Sequence, residues 1–161
     1  VPASQARRRL LKIIGVFFIR YAFDAGPALA SATTGLERST FAAFLDMLLP
    51  RDEFSGSATD LHVDEKLWEV SRSDPRFRRL IGLGCQWLNM TGGPPFAALS
   101  GEQQYALVDW MAHSDFDQVP RRFYELVREA AIEMYYSQPE AWHGLSIQNP
   151  PQPLGYKPPW P

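Results

Sequence analysis

The side chains of this 161-residue chain that could do chemistry are three histidines, one cysteine and three acidic pairs. His62, His113 and His143 could in principle form a three-histidine metal centre. They are far apart, however, at predicted loops or helix ends, whereas metal ligands usually bring close spacing and carboxylates that orient them. Solvated or locally capping histidines are therefore expected. The pairs Asp52–Glu53, Asp64–Glu65 and Asp115 with Asp117 are the kind that general acid–base catalysis needs. Each falls in a loop or at a helix start, where acids are expected for capping and for the helix dipole.

The single cysteine, Cys85, allows no intrachain disulfide, and by itself it cannot build a cysteine-ligated iron–sulfur cluster, a c-type haem or a structural zinc site. Its apolar setting predicts a small buried hydrophobe. No G-x-G-x-x-G follows a strand, and neither G-x-x-x-x-G-K-[ST] nor G-x-S-x-G occurs, so dinucleotide, P-loop and hydrolase-elbow chemistry lack their anchor. No catalytic, metal or cofactor-binding residue is assigned, and no cofactor is expected in this chain. Redox chemistry would need a partner.

The elements that position these groups read as helices. Ser39 precedes Phe41, Phe44, Leu45 and Leu48, a three-and-four spacing that predicts a helix over about 38–49 ended by Pro50. Arg51 to Asp60 reads as a loop, and Val63, Leu67 and Val70 suit a short helix. Asp74–Pro75 is an N-cap and first-turn pair ahead of Phe77, Leu80, Ile81, Gly84, Trp87 and Leu88, a helix that should end before Thr91. Ser100 with Gln103 makes a capping box for a helix over about 101–113. Pro120 opens the longest helix, with Val119, Phe123, Leu126, Val127, Ala130 and Met134 in period up to Tyr135–Tyr136–Ser137. Trp68, Trp87 and Trp110 are expected in the core. With no strand alternation, internal repeat or heptad run, the fold expected is all-α, a single irregular helical bundle over 37–146.

Charge separates the first 36 residues from the rest. Arg7, Arg8, Arg9, Lys12 and Arg20 oppose only Asp24, a surplus of +4 in a chain of net charge -2, so the remainder carries -6. An acidic body without a basic stripe excludes nucleic-acid binding by phosphate neutralisation. Residues 1–36 read as an export signal or a retained anchor. Arg7, Arg8, Leu10, Leu11 and Lys12 resemble the twin-arginine pattern and feed the apolar run Ile13 to Ile19. Ala28–Leu29–Ala30 and Ala30–Ser31–Ala32 offer cleavage sites. If retained, the segment would touch the membrane surface as a snorkelling anchor or pack on a partner, because Arg20 and Asp24 break the run before it reaches about 20 apolar residues. A twin-arginine translocon partner and a periplasmic location at the inner membrane are expected.

At the other end, residues 147–161 form a predicted extended arm with six of the 14 prolines. Proline lowers the ordering cost of docking and aromatic side chains bring contact area. Tyr135, Tyr136, Trp142, Tyr156 and Trp160 are the candidate partner-binding anchors; the same residues could instead cover the chain's own helices.

Several segments together resemble the gluconate 2-dehydrogenase subunit 3 family. They are the twin-arginine leader, Phe44–Leu45–Asp46–Met47–Leu48–Leu49–Pro50–Arg51–Asp52–Glu53, and Gly93–Pro94–Pro95–Phe96–Ala97–Ala98–Leu99–Ser100 running into Glu102–Gln103. Tyr135–Tyr136–Ser137–Gln138–Pro139, Trp142, Gly144 and the Pro–Gln–Pro–Leu–Gly–Tyr tail complete the set. The resemblance implies a small, non-catalytic subunit of an exported dehydrogenase complex. Its large subunit, a flavoprotein of the glucose–methanol–choline type, holds FAD and oxidises a sugar or sugar acid. A multihaem cytochrome c subunit with haem c often accepts the electrons, and the small subunit supports export and assembly. The rival expectations are a free-standing periplasmic metal enzyme built on the histidines and a membrane-attached adaptor without a redox partner.

Overall fold

The computed structural model describes residues 27–90 and 93–145, with side chains from residue 35 onward. The export-signal residues Arg7, Arg8, Leu10, Leu11 and Lys12 and the arm residues Tyr156 and Trp160 lie outside the described residues. Five helices run in order, α1 (Pro27–Leu48), α2 (Val63–Ser73), α3 (Pro75–Asn89), α4 (Gly101–His113) and α5 (Val119–Tyr136). Short 3-10 turns at Phe96–Ala98 and Pro139–Trp142 complete the set, and no strand occurs among the described residues. The all-α reading holds.

The helix starts follow from local chemistry. The Asp74 carboxylate accepts hydrogen bonds from the backbone N–H groups of Arg76 (2.9 Å) and Phe77 (3.1 Å), with Pro75 in the first turn of α3. The Ser100–Gln103 capping box closes both ways at α4. α2 has no side-chain cap, and His62 before it takes a left-handed conformation (φ 55°); Asp64 and Glu65 in its first turn complement the dipole instead.

One boundary differs from the expectation. The first helix begins at Pro27, not near residue 38, and Ser39 lies inside it. Ala28, Ala30 and Ala32 are strong helix formers, so nothing before Ser39 stops the helix.

The core of the unit that starts at Glu37 is assembled around α5, which packs against α2, α3 and α4. Its buried face is Pro120, Phe123, Val127, Ala131 and Tyr135, one residue per turn. Phe44 of α1 lies against Phe123 with ring centroids 4.7 Å apart. Gly84 of α3 sits directly under the Phe123 ring, so close that a Cβ there would overlap it. Phe41, Leu45, Leu67, Ile81, Cys85, Leu88 and Met111 fill the remaining space.

Trp68 and Trp87 are buried as expected, but Trp110 is a correction. It is 38% exposed and stacks on Trp87 at a centroid distance of 5.2 Å. α4 turns Val108 and Met111 inward, which leaves Trp110 on the rim covering its neighbour. Val70 and Leu126 also belong to the expected apolar stripes, yet they are 45% and 51% exposed.

Candidate partner interface

Several of the side chains with chemical potential are engaged in local structure. Nδ1 of His113 shares a 2.7 Å hydrogen bond with the Asp109 carbonyl, and His62 stands 3.7 Å from Glu65. Among the described residues no three His, Cys, Asp or Glu side chains are grouped to hold a metal ion. Cys85 is enclosed, and burial first, then the Glu37 charge, pushes its thiol well above the ordinary range.

Asp52 turns back on its own loop. Its Oδ1 accepts from the N–H groups of Phe54 (2.8 Å) and Ser55 (2.7 Å), which holds the carboxyl below its ordinary value. Asp64 is pushed up, chiefly by desolvation. Asp117 lies 3.6 Å from Arg122, and the Asp115 carbonyl accepts from the Gln118 N–H at 3.0 Å.

The acids that matter most for shape are Asp46 and Asp60, which the sequence reading did not single out. Asp46 on α1 accepts from the N–H (2.9 Å) and hydroxyl (2.8 Å) of Thr59. Asp60 takes two bonds from the Arg51 guanidinium (3.0 and 2.7 Å) and one from the Ser57 N–H (2.7 Å). The Arg51 hydrogen bond, the largest effect, and then the Ser57 bond hold Asp60 below its ordinary value. A loop of polar residues is thereby given one shape.

Tyr135 then fastens this loop to α5. Its hydroxyl donates to the Gly56 carbonyl at 2.6 Å and lies 3.0 Å from Ser55 Oγ. Gly144, at φ +83°, lies so close to the Phe54 ring that a Cβ would come within 2.5 Å of Phe54 Cγ. The segment 135–144 of the resemblance thus packs against residues 54–56, which directly follow its segment 44–53. A third such segment is held elsewhere. The Asn89 side-chain oxygen accepts from Phe96 N–H and from the Thr40 hydroxyl, both at 3.0 Å, while Gln104 donates to the Phe96 carbonyl at 2.9 Å, so that Phe96 is locked into the core.

The structure divides the candidate anchors. Tyr135 is 3% exposed, its ring in the core and its hydroxyl on the loop, so its side chain supports the surface from beneath and is not free for a partner. Trp142 is half-buried, with Nε1 donating to the Tyr136 carbonyl at 2.8 Å, and Tyr136 is 44% exposed. Phe54 and Leu145 add exposed apolar surface.

A second surface was missed. Leu67 and Val70 of α2, Phe77 and Leu80 of α3, and Leu126, Ala130 and Met134 of α5 line an open groove of about 770 Å³. Arg76, Arg122, Asp74 and Glu133 stand along it and Ser137 lies within its lining. The signal was present in the sequence. α5 carries one apolar series at 123, 127, 131 and 135 and a second at 119, 126, 130 and 134, and one core can cover only the first.

No helix among the described residues is long and apolar enough to cross a membrane. The family model described as gluconate 2-dehydrogenase subunit 3 matches residues 36–158. No curated protein and no solved structure matches the chain.

Proposed function

Since the chain belongs to the gluconate 2-dehydrogenase subunit 3 family, and so to a dehydrogenase complex, we propose that it is the complex's non-catalytic export and assembly subunit. The observation that carries this reading is the match itself, which spans the whole bundle and runs into the proline-rich arm. Within the matched region Asp46 and Asp60 shape a loop, and the Tyr135 hydroxyl fastens it to α5. Such a chain contributes surface, not a reaction centre.

In this reading the large subunit is the FAD flavoprotein that oxidises a CH–OH group of a sugar or sugar acid, and a haem c subunit receives the electrons. The residues Arg7, Arg8, Leu10, Leu11 and Lys12 are the address that takes the folded pair through the twin-arginine translocon. Folded export suits a flavoprotein, because FAD is bound before the membrane is crossed. The complex then resides in the periplasm at the inner membrane, with Tyr136, Trp142, Tyr156 and Trp160 against the large subunit.

The test replaces Arg7 and Arg8 together with Lys and fractionates the native host. Both this chain and the flavoprotein are expected to stay in the cytoplasm. Normal periplasmic flavoprotein would refute the carrier role.

A further inference from the structure

We infer that Gly144 is a positioning residue for partner binding: by turning the chain against Phe54 it roots the proline-rich arm at the 51–60 loop before any partner arrives. This inference rests on the functional reading above, in that it takes the arm to lie against the large subunit.

The turn is built from local chemistry. Gln138 is tied to both α5 and α2, its Nε2 donating to the Met134 carbonyl at 3.1 Å and its Oε1 accepting from Lys66 Nζ at 2.6 Å. The 3-10 turn Pro139–Trp142 follows, closed by the Ala141 N–H on the Gln138 carbonyl at 3.1 Å and held to the end of α5 by Trp142 Nε1 on the Tyr136 carbonyl at 2.8 Å. His143 then stands at φ −57° and ψ 131°, Gly144 at φ +83°, and the Leu145 N–H donates back to the Trp142 carbonyl at 2.9 Å. That sequence of angles and that bond belong to a type II turn, whose third position calls for glycine.

Phe54 closes the other side of Gly144. A Cβ there would come within 2.5 Å of Phe54 Cγ and 2.8 Å of its Cβ and Cδ2. Those atoms are at the root of the side chain, so relief requires the loop itself to move. The loop is held, for Asp52 accepts from the Phe54 N–H at 2.8 Å and the Tyr135 hydroxyl donates to Gly56 at 2.6 Å. For an L-residue at position 144 the left-handed backbone alone disfavours the turn about 5- to 30-fold, and the collision adds to that.

Preorganisation gives the turn its use. Residues 135–145 are ordered by contacts within the chain, and the proline-rich residues 147–161 continue from them in the sequence. A binding segment whose root is already fixed loses less freedom on docking, and prolines further along lower that cost again. With the turn opened, the same anchors hang from a root that the partner must order itself. Affinity then falls with the fraction of chains that keep the competent arrangement. Gly144 touches nothing on the partner in this account and acts through the arm.

The experiment measures the Kd of the tagged full chain for the large flavoprotein subunit of its complex. It compares wild type with Gly144→Ala, with a chain shortened after Leu145, with the two changes combined, and with the control Gly101→Ala, whose methyl meets open space. Gly101→Ala should match wild type. Gly144→Ala should weaken binding at least about fivefold, while the isolated variant keeps its helical signal because the turn lies outside the five helices. The shortened chain should weaken binding further, and Gly144→Ala should add nothing to that loss, since no arm is left to position. Wild-type affinity in Gly144→Ala beside a weakened shortened chain would overturn the positioning role and leave the functional reading standing. Losses that add in the combined variant would overturn it too, because Gly144 would then act on the surface of the bundle. A shortened chain that binds like wild type would take the arm out of the interface and the positioning role with it. Wild-type chain that retains no flavoprotein would sink the functional reading and this inference together.

Discussion

Two glycines two residues apart on α3, Gly82 and Gly84, should respond to alanine with opposite signs. Both lie inside the helix, where Gly→Ala gains about 1 kcal/mol of intrinsic helix stability. At Gly82 the added methyl would stand 3.7 Å from a Glu37 carboxylate oxygen, an ordinary contact, so the gain survives. At Gly84 it would overlap the Cγ, Cδ2 and Cε2 atoms of Phe123. That ring is fully buried and backed by Phe44 at 4.7 Å, so it has no solvent to swing into. Overpacking of this kind costs about 1–3 kcal/mol and sometimes more. With three ring atoms overlapped, the upper end applies, and after the helix gain the net loss is about 2 kcal/mol. For a chain of this length each kcal/mol moves Tm by about 2–4 °C, so Gly84→Ala should melt about 4–8 °C lower and Gly82→Ala about 2–4 °C higher. Denaturant melts of the two variants, with Phe123→Leu alone and combined with Gly84→Ala, complete a cycle in which the shorter side chain relieves more than about 1 kcal/mol of the penalty. Stabilisation by Gly84→Ala, or a cycle with no coupling, would show that α3 and α5 do not approach as described.

Four further outcomes rest on other contacts of the fold. Tyr135→Phe keeps the ring and removes the bond to Gly56, so it should cost about 1 kcal/mol and expose the 51–60 segment to protease, whereas unchanged cleavage would mean that the hydroxyl does not fasten the loop. Asp52 and Asp60 both have folded pKa values below the ordinary 3.8, so their contribution is present above that value and is lost as pH falls through the lowered one. Loop cleavage by an acid-active protease should accordingly rise below about pH 3.8, and the Asp52→Asn/Asp60→Asn double variant should be cleaved readily at every pH. Asp64 has the opposite sign. Its folded value is raised, so stability declines as pH climbs from the ordinary 3.8 through it, and Asp64→Asn should flatten that decline in melts taken upward from about pH 3.8; an unaltered pH profile would remove desolvation as the cause. Finally, native Cys85 should react with a thiol reagent only as fast as the chain unfolds, and immediate stoichiometric labelling would contradict its burial.

The sequence determined by itself that the chain is helical, and where most of its helices start. Those features are local, for Asp74–Pro75, Ser100 with Gln103 and the three-and-four spacing of apolar residues act within a turn or two of the chain. It also brought the family into view through short segments whose order, not whose chemistry, was informative. What it could not assign was the facing of residues whose periodicity fits two stripes. Leu126 and Phe123 sit on one helix with equal apolar character, and only the positions of α2 and α3 decide that Phe123 is enclosed while Leu126 is left in an open groove. Tyr135 and Tyr136 are adjacent and chemically identical. One is committed to the loop because Gly56 lies 79 residues away in sequence and within hydrogen-bonding distance in space, and the other is left outside. Asp46 and Asp60 read as ordinary acids until Thr59 and Arg51 are brought to them. Periodicity is a property of one helix, whereas burial is a property of what packs against it, and that is why the helices were legible and the groove was not.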